Sequence, residues 1–385
     1  MAQTPIITTP AGLEQLANDL QQLAVFAVDL EADSMHSFRE KVCLLQFTYY
    51  LADKEHTVLL DPLAVPDLSV LRPVLADPAV RKIFHAADYD IRCLFRDFEI
   101  EIHGLFDTMI SSQLLGEERV GLADILGKYF DVSLDKKYQR SDWSKRPLSP
   151  EMCHYAAEDT RYLHQLVAIL EGQLVEKDRL WWAQEEFALL EQARFQVHEG
   201  PAFLRMKGAG TLSPRSLAIL ENLIVWRNGE AARRDCPAYK VLGPKALLSV
   251  ARHCPDCVAD LKKVDDFSPR LVDRYGKAVL LQVEQAMLVA EGDLPCFPRA
   301  ERRVRDAAVD KRFARLKQWR KGKAVELALD PGILINNALL EEIARQFPTT
   351  PDSLQMVTGL KCWQSKVLGS GLLMTLVGGG DDLVD

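Results

Sequence analysis

Residues 25–31 (Val-Phe-Ala-Val-Asp-Leu-Glu) combine an apolar run of strand length with two carboxylates at its end. The run does not alternate with polar residues, which is typical of a central strand that helices cover on both faces. Because side chains two residues apart share a face of a strand, Asp29 and Glu31 point the same way, roughly 7 Å apart. The two acids repel each other, and a bound divalent cation would relieve that repulsion. Taken alone, such a pair more often marks a strand that ends in solvent.

Residues 1–200 mix strand and helix patterns. After a short helix at 11–23, further strands are predicted at 42–50, 57–61 and 81–85, and helices at 68–75, 88–98, 108–115 and 122–130. A long helix begins at Ser149-Pro150, because Ser is a preferred N-cap residue and Pro suits the first helical position. Strands that come first and helices that follow predict an α/β domain with a mixed sheet.

Beyond residue 200 the pattern is helical and contains an internal repeat. The segment Trp-Arg-Asn-Gly-Glu-Ala at 226–231 recurs as Trp-Arg-Lys-Gly-Lys-Ala at 319–324, an offset of 93 residues, and identities continue in that register. We interpret the repeat as two tandem globular helical domains, because a unit of about 80 residues is too long for a solenoid repeat. Trp226 and Trp319 are predicted to be core residues. Breaks rich in Gly and Pro place the predicted domains at 1–205, 206–294 and 295–385.

Charge is divided unevenly along the chain. The net charge is −8, but residues 1–200 hold 19 basic and 33 acidic residues, whereas residues 201–385 hold 28 and 22. Much of the basic excess lies in 302–323, in Arg302, Arg303, Arg305, Lys311, Arg312, Arg315, Lys317, Arg320, Lys321 and Lys323. An acidic half followed by a basic half suits a protein that combines a cation-dependent active site with a surface that binds a polyanion. A solvated helix face is the alternative explanation for the basic segment.

Several protein classes are not expected. The N-terminus lacks the pattern of a signal peptide, and no apolar run approaches the roughly 20 residues of a membrane span. Eight scattered cysteines are typical of reduced thiols, so we predict a cytoplasmic protein. Cys254 and Cys257 form a single C-x-x-C without a second pair, which makes a zinc or redox site there an unfavoured alternative.

Two further sites carry acids. Asp88-Tyr89-Asp90 follows the strand at 81–85, although acids in the first turn of a helix are also explained by the helix dipole. On the helix that begins at Pro150, Asp159 falls in an otherwise apolar stripe, one turn after Tyr155. A buried carboxylate must find a cation or a salt bridge, or become neutral. Four acids and one Tyr can therefore converge at one end of the sheet and would suit two cations, Mg²⁺ or Mn²⁺.

In this combination the sequence resembles the DEDD superfamily of 3′–5′ exonucleases, in its Tyr-containing branch, and within it the ribonuclease D family. The short motifs that support this resemblance are Phe84-His85-Ala86, Phe106-Asp107-Thr108, Gly121-Leu122-Ala123-Asp124 and Ser141-Asp142-Trp143-Ser144 followed by Arg146-Pro147-Leu148. The helical copies are similar to HRDC domains. The resemblance covers essentially the whole chain and implies an RNase H-like α/β exonuclease domain followed by two all-α HRDC-type domains. His85 departs from the superfamily, in which many members carry Asn there.

The resemblance also implies roles. Asp29, Glu31 and Asp159 would hold the cation beside the attacking water, Asp90 rather than Asp88 would support the second cation, and Tyr155 would orient and help to deprotonate the nucleophile. The implied reaction is stepwise hydrolysis of RNA from a free 3′ end, releasing nucleoside 5′-monophosphates, with tRNA precursors as the expected substrates. No membrane and no obligate protein partner are expected.

Substrate contacts are a weaker part of the prediction. The resemblance suggests that Leu30 and Glu31 contact the terminal ribose and that His85 lies near the substrate. Basic residues before the Tyr155 helix are apt for phosphate contacts, although such a loop is as often simply solvated; they are Lys136, Lys137, Arg140, Lys145 and Arg146. Two alternatives stay open: an exonuclease that prefers DNA and acts in repair, and an RNA-binding module with a vestigial nuclease fold.

Overall fold

A computed structural model describes residues 4–196, 199–298 and 306–378. The described residues group into two compact units, one made of 4–32, 42–195 and 306–378, the other of 33–41, 196 and 199–298. Arg302, Arg303 and Arg305, which belong to the predicted basic segment, lie outside the described residues. The three domain boundaries drawn from the sequence stay a prediction.

The first unit contains a six-stranded mixed sheet, which confirms the predicted α/β class. Its strands are β1 (Ile6–Ile7), β2 (Val25–Ala32), β3 (Val42–Leu51), β4 (Lys54–Leu60), β5 (Arg81–Phe84) and β6 (Leu105–Asp107). They lie in the order β1-β4-β3-β2-β5-β6, in which β3 is antiparallel to β2 and β4 and the remaining neighbours are parallel. Strands β1 and β6 were not predicted, because two or three residues are too few to show a strand period.

Eight α-helices accompany the sheet within the described part of the chain up to residue 196. They are α1 (Pro10–Leu20), α2 (Arg72–Ala76), α3 (Asp88–Phe98), α4 (Thr108–Leu115), α5 (Leu122–Phe130), α6 (Pro150–Arg161), α7 (Leu163–Glu176) and α8 (Leu180–Leu190). The single long helix predicted from Pro150 is two helices that meet at Tyr162. Its predicted start is confirmed, since the Ser149 hydroxyl accepts a hydrogen bond from the Met152 amide at 3.2 Å.

The central strand β2 separates two different environments. Phe26, Val28 and Leu30 are buried in the main hydrophobic core. Asp29 and Glu31 alternate with these residues and so lie on the opposite face, where α6 packs on β2, β3 and β4. A hydrogen bond between the hydroxyls of Thr48 on β3 and Thr160 on α6, at 2.8 Å, joins this helix to the sheet. The helix that carries Tyr155 and Asp159 is thereby fixed over the strand that carries Asp29 and Glu31.

The predicted duplication is confirmed by matching helices. The first copy has α9 (Pro214–Arg233), α10 (Ala238–Val241), α11 (Pro244–His253), α12 (Val258–Leu261) and α13 (Pro269–Met287). The second has α14 (Ala307–Leu327), α15 (Pro331–Leu334), α16 (Asn337–Gln346), α17 (Pro351–Gln355) and α18 (Cys362–Val377). Both α10 and α11 reappear as α15 and α16 at an offset of 93 residues at each end. Trp226 and Trp319 are half-buried; the Trp226 ring centroid lies 5.5 Å from that of Tyr275, as packing residues would.

The second helical copy packs on α8 within the first unit. The rings of Trp182 and Trp363 stack with their centroids 4.7 Å apart. The Glu185 carboxylate accepts hydrogen bonds from the amides of Cys362 and Trp363, at 2.6 and 2.8 Å, and so caps the N-terminus of α18. Lys361 pairs with Glu186 at 2.6 Å. Among the described residues, no helix combines the length and apolar composition that crossing a bilayer requires.

Candidate active site

Two carboxylates lie on the face of β2 that α6 covers. Asp29 pairs across the antiparallel ladder with Gln46, and Glu31 with Leu44. The register shifts between Glu31 and Ala32, so regular pairing ends where the acids are presented. Both acids are half-buried. Their position at the end of a buried strand agrees with the sequence prediction.

Helix α6 brings a third carboxylate and a phenol to the same place. Carboxylate oxygens of Asp29, Glu31 and Asp159 all lie within 4.8 Å of one another. The Tyr155 hydroxyl, one helical turn before Asp159, forms a hydrogen bond with its carboxylate. The Tyr155 ring is fixed by Tyr138 and Trp143, whose ring centroids each lie 6.0 Å from its own. Four of the five predicted catalytic groups are therefore together.

Asp90, the fifth predicted group, is buried in the first turn of α3. Its pKa is raised well above the usual value by burial and then by the charges of Asp29, Asp107 and Asp88, which makes it an electrostatic neighbour of the cluster. Helix α3 begins at Asp88, and Asp88 forms an ion pair with Arg92 at 2.8 Å instead of joining the other acids. The choice of Asp90 over Asp88 stays a prediction.

Asp107 stabilises the backbone next to Asp90, a role that was not predicted from the sequence. Its fully buried carboxylate accepts hydrogen bonds from the amides of Ala87, Met109 and Ile110 at 2.7 to 3.0 Å. It thus caps α4 and also fixes the turn that leads into α3, on which Asp90 lies. The sequence signal was available, because Asp before a helical Thr is a common N-cap pattern.

The acids raise one another's pKa. Burial first, and like charges second, raise the pKa of Asp159 to about 8, and Asp29 contributes the most among those charges. Burial raises the pKa of Asp29 to about 7, and burial with the charges of Asp29, Asp159 and Asp90 raises that of Glu31. Within the part of the chain that the structure describes, no Lys or Arg forms an ion pair with these four acids. Nothing in the described ranges therefore offsets the negative charge of the cluster.

This donor set fits a hard divalent cation. Carboxylate oxygens are the ligands that Mg²⁺ and Mn²⁺ prefer, and cations would offset the repulsion that otherwise keeps the acids protonated. Burial and the charges of Asp159, Glu31 and Asp29 raise the pKa of Tyr155 far above its usual value. Its phenol is consequently protonated at neutral pH and can donate a hydrogen bond.

The residues predicted to contact substrate are placed less uniformly. Leu30 is buried in the core. The His85 ring has Nδ1 2.9 Å from the Thr108 hydroxyl and hydrogen-bonds the backbone of Val120, while burial lowers its pKa to about 4. The imidazole is therefore neutral and is held by structural partners.

The five basic residues before α6 that were predicted to contact phosphates also differ in their surroundings. All five N–H groups of Arg146 bind oxygens of the protein: Nε and Nη2 contact Asp61 at 2.5 and 2.7 Å, Nη2 also contacts the Cys43 carbonyl, and Nη1 contacts two carbonyls of its own loop. Lys137 lies with Nζ 5.1 Å from the Tyr138 ring centroid and lines a groove of about 710 Å³ beside Tyr155. Lys136, Arg140 and Lys145 are exposed, and Lys145 lies 3.7 Å from Asp142.

Comparisons with known proteins agree with this geometry. Residues 4–175 match the family model for a 3′-5′ exonuclease, and residues 216–283 and 309–376 each match the HRDC domain, again at an offset of 93. The chain is 32% identical to ribonuclease D of Escherichia coli over 295 residues, which cover 75% of this chain and 76% of the relative. It is 27% identical to ribonuclease D of Pseudomonas paraeruginosa over 372 residues, 96% of each chain.

Solved structures show the same likeness over nearly the whole length. The crystal structure of Escherichia coli RNase D superposes with a TM-score of 0.72 at 27% identity and covers 97% of this chain and 99% of its own. A protein from Bifidobacterium adolescentis has the same fold, with a TM-score of 0.81 at 20% identity over 97% of each chain. The chain belongs to the ribonuclease D family of 3′–5′ exoribonucleases.

Proposed function

We propose that this exoribonuclease releases nucleoside 5′-monophosphates from RNA 3′ ends with two divalent cations, Mg²⁺ or Mn²⁺, held by Asp29, Glu31, Asp90 and Asp159. The observation that carries the proposal is the position of three carboxylates from two separate elements within 4.8 Å of one another, with no basic partner among the described residues. Folding alone gains nothing from such a cluster, because buried like charges raise the free energy of the native state. A cation-dependent reaction explains why these residues occupy these positions.

The chain's own residues then have distinct tasks. When bound, the cations would make a water acidic enough to attack a phosphodiester near neutral pH and would neutralise charge on the departing 3′ oxygen. Tyr155, as a protonated phenol held by Tyr138 and Trp143, orients that water. Asp159 accepts the Tyr155 hydrogen bond and keeps the phenol aimed into the site. This assignment gives Tyr155 a positioning role, because its hydroxyl is held by the Asp159 carboxylate and burial raises the pKa of its phenol.

We place the end of the RNA in the groove beside Tyr155. The groove is lined by Lys137, Tyr138 and His154, which offer a cation, an aromatic face and an imidazole to a phosphate and a base. Lys136, Arg140 and Lys145 lie near the groove in sequence and are assigned to more distant phosphates. Arg146 is assigned to the structure of the loop, because its guanidinium has no N–H left to donate.

The proposed substrates are structured RNAs with a short single-stranded 3′ tail, such as tRNA precursors. The Escherichia coli relative is described as an exoribonuclease involved in structured RNA processing, which supports the proposal. A DNA-preferring exonuclease and an RNA-binding module with a vestigial nuclease fold are the alternatives that an assay must separate. The vestigial module is disfavoured because all five predicted catalytic positions carry functional side chains. The cytoplasmic location stays a prediction.

One assay tests the proposal. A 5′-labelled hairpin RNA with a short single-stranded 3′ tail, and the DNA of the same sequence, are incubated with Mg²⁺, Mn²⁺ or EDTA. We expect a ladder that shortens by one nucleotide per step on RNA, requires a divalent cation, and is absent for Asp29→Asn and Asp159→Asn. Full activity in EDTA would reject the cation site, and faster digestion of DNA would favour the first alternative.

A further inference from the structure

A fully buried amide lies directly opposite the first catalytic acid. Gln46 on β3 pairs with Asp29 on β2, and the solvent does not reach its side chain. Residues directly opposite in an antiparallel pair point to the same face, with Cβ atoms about 4.5–5.5 Å apart. Gln46 therefore shares the face of Asp29 beneath α6, and its two methylene groups bring the amide within reach of the Asp29 carboxylate.

Neither polar atom of the Gln46 side chain has a hydrogen-bond partner in the part of the chain that the structure describes. Among the described residues it is the only side chain with two buried polar atoms unpaired. Leaving a buried donor or acceptor without a partner destabilises the folded protein. The neighbouring positions, Leu44 along β3 and Leu59 across β4, are buried and apolar, so an apolar side chain would fit here without that cost. Packing alone thus gives no reason for an amide at this position.

The Asp29 carboxylate has unused capacity to accept hydrogen bonds. Within residues 4–196, 199–298 and 306–378, the Leu30 amide is the donor identified for it. A carboxylate offers about four acceptor positions, and carboxylates that hold metal ions are usually hydrogen-bonded on the side away from the metal. Such bonds orient the ligand. Gln46 is the buried donor nearest in the sheet register, because the ladder places it across from Asp29.

We propose that Gln46 is a positioning residue for the cation site: its amide donates a hydrogen bond to the Asp29 carboxylate and fixes its orientation when a divalent cation is bound. The inference rests on the proposed cation-dependent function. The Gln46 amide is unpaired in the cation-free protein, and the proposed hydrogen bond gives it a partner when a cation is bound. Gln46 contacts no substrate in this scheme and acts only through Asp29.

Gln46→Met tests the proposal, because Met has a similar volume and lacks the amide. Without cations we expect the full-length variant to melt at the same temperature as the natural protein or higher, since an unpaired polar group is removed. We expect its Kd for Mn²⁺, measured by isothermal titration calorimetry without RNA, to rise about 10–100-fold. The Mn²⁺ concentration for half-maximal RNA hydrolysis should rise by the same factor. Gln46→Leu, which also fits an apolar site, should behave alike.

Thr57→Val is the matched control. The Thr57 hydroxyl lies 3.0 Å from that of Thr48 in the same layer, two strands from Asp29, so its loss should lower the melting temperature and leave Mn²⁺ affinity unchanged. A Mn²⁺ Kd within twofold of the natural value in both Gln46 variants would overturn the proposal, whatever their melting temperatures. If the natural protein bound no Mn²⁺, or Asp159→Asn bound it equally well, the cation site would fail and this inference with it.

Discussion

Replacing Asp159 with Asn should stabilise the cation-free protein at pH 8 while it abolishes RNA hydrolysis. The two side chains have nearly the same shape, so the change removes a charge and leaves the packing of α6 in place. Asp159 faces Asp29 and Glu31 with no basic partner among the described residues. Its native-state pKa is raised to about 8 by burial and by the charge of Asp29.

The direction follows from proton linkage. The Asp carboxyl loses its proton near pH 3.8 in the unfolded chain but near pH 8 in the native state, so the native state holds more protons between these values. Stability therefore falls as the pH rises from about 4 to about 8. One pKa unit is worth about 1.4 kcal/mol, which bounds the cost at about 5 kcal/mol at pH 8. Because Asp159 is only half-buried and shares protons with its neighbours, we expect a gain of about 2–4 kcal/mol on substitution.

Thermal melting in EDTA at pH 5, 6.5 and 8 measures this effect. The melting temperature of Asp159→Asn should exceed that of the natural protein by a margin that widens toward pH 8. Asp53→Asn, at an exposed turn position with φ of 60° that Asn also adopts, is the control and should show no such trend. Adding Mn²⁺ at pH 8 should stabilise the natural protein and not the Asp159 variant. The reasoning would be refuted if the melting temperature of Asp159→Asn minus that of the natural protein were smaller at pH 8 than at pH 5.

Three further predictions separate chemistry from structure. Tyr155→Phe should lower kcat roughly 10²-fold and leave KM nearly unchanged, because the ring contacts remain and only the oriented hydroxyl is lost. An equal loss in RNA affinity would show that the hydroxyl binds RNA. Arg146→Ala should destabilise the protein by about 2–4 kcal/mol, measured by thermal melting, because it removes the ion-pair partner of Asp61. An unchanged melting temperature together with weaker RNA binding would instead make Arg146 a substrate contact. Lys137→Ala should weaken RNA binding and lower the slope of log Kd against log salt by about 0.7, whereas Lys145→Ala should change the slope less; the reverse order would place the RNA on the other side of the loop.

Three of the proposed catalytic residues stand out in the sequence because they break a local pattern. Asp29 and Glu31 interrupt an apolar strand, and Asp159 interrupts an apolar helical stripe, whereas Asp90 was chosen over Asp88 from the resemblance to the DEDD exonucleases. The predicted bounds of α3, α4 and α5 agree with the structure. Strands β1 and β6 were missed because they gain their structure from neighbours that are distant in the chain.

Other features depend on pairings that no local pattern encodes. Arg146 looks like a phosphate ligand in a basic loop, but its five donors are taken by groups such as Asp61, which lies 85 residues earlier. Arg312 and Arg320 belong to the predicted basic segment, yet both are buried and donate to the carbonyls of Ala344 and Ile335. The basic residues that can meet a polyanion are therefore fewer than the sequence suggested. A count of charges does not distinguish a solvated guanidinium from one that serves as a structural clamp.

The same difficulty explains why Gln46 escapes notice in the sequence. In Leu-Leu-Gln-Phe-Thr a polar residue every second position is ordinary strand alternation, and the usual interpretation is an exposed face. Here that face is covered by α6, so Gln46 and Thr48 are buried and each needs a partner. Thr48 pairs with the hydroxyls of Thr57 and Thr160, whereas Gln46 has no partner among the residues described and lies across from Asp29. Two groups that each destabilise the cation-free fold thus face each other across β2 and β3. Their proximity has a common explanation if both are satisfied only when a cation holds the Asp29 carboxylate in its charged form.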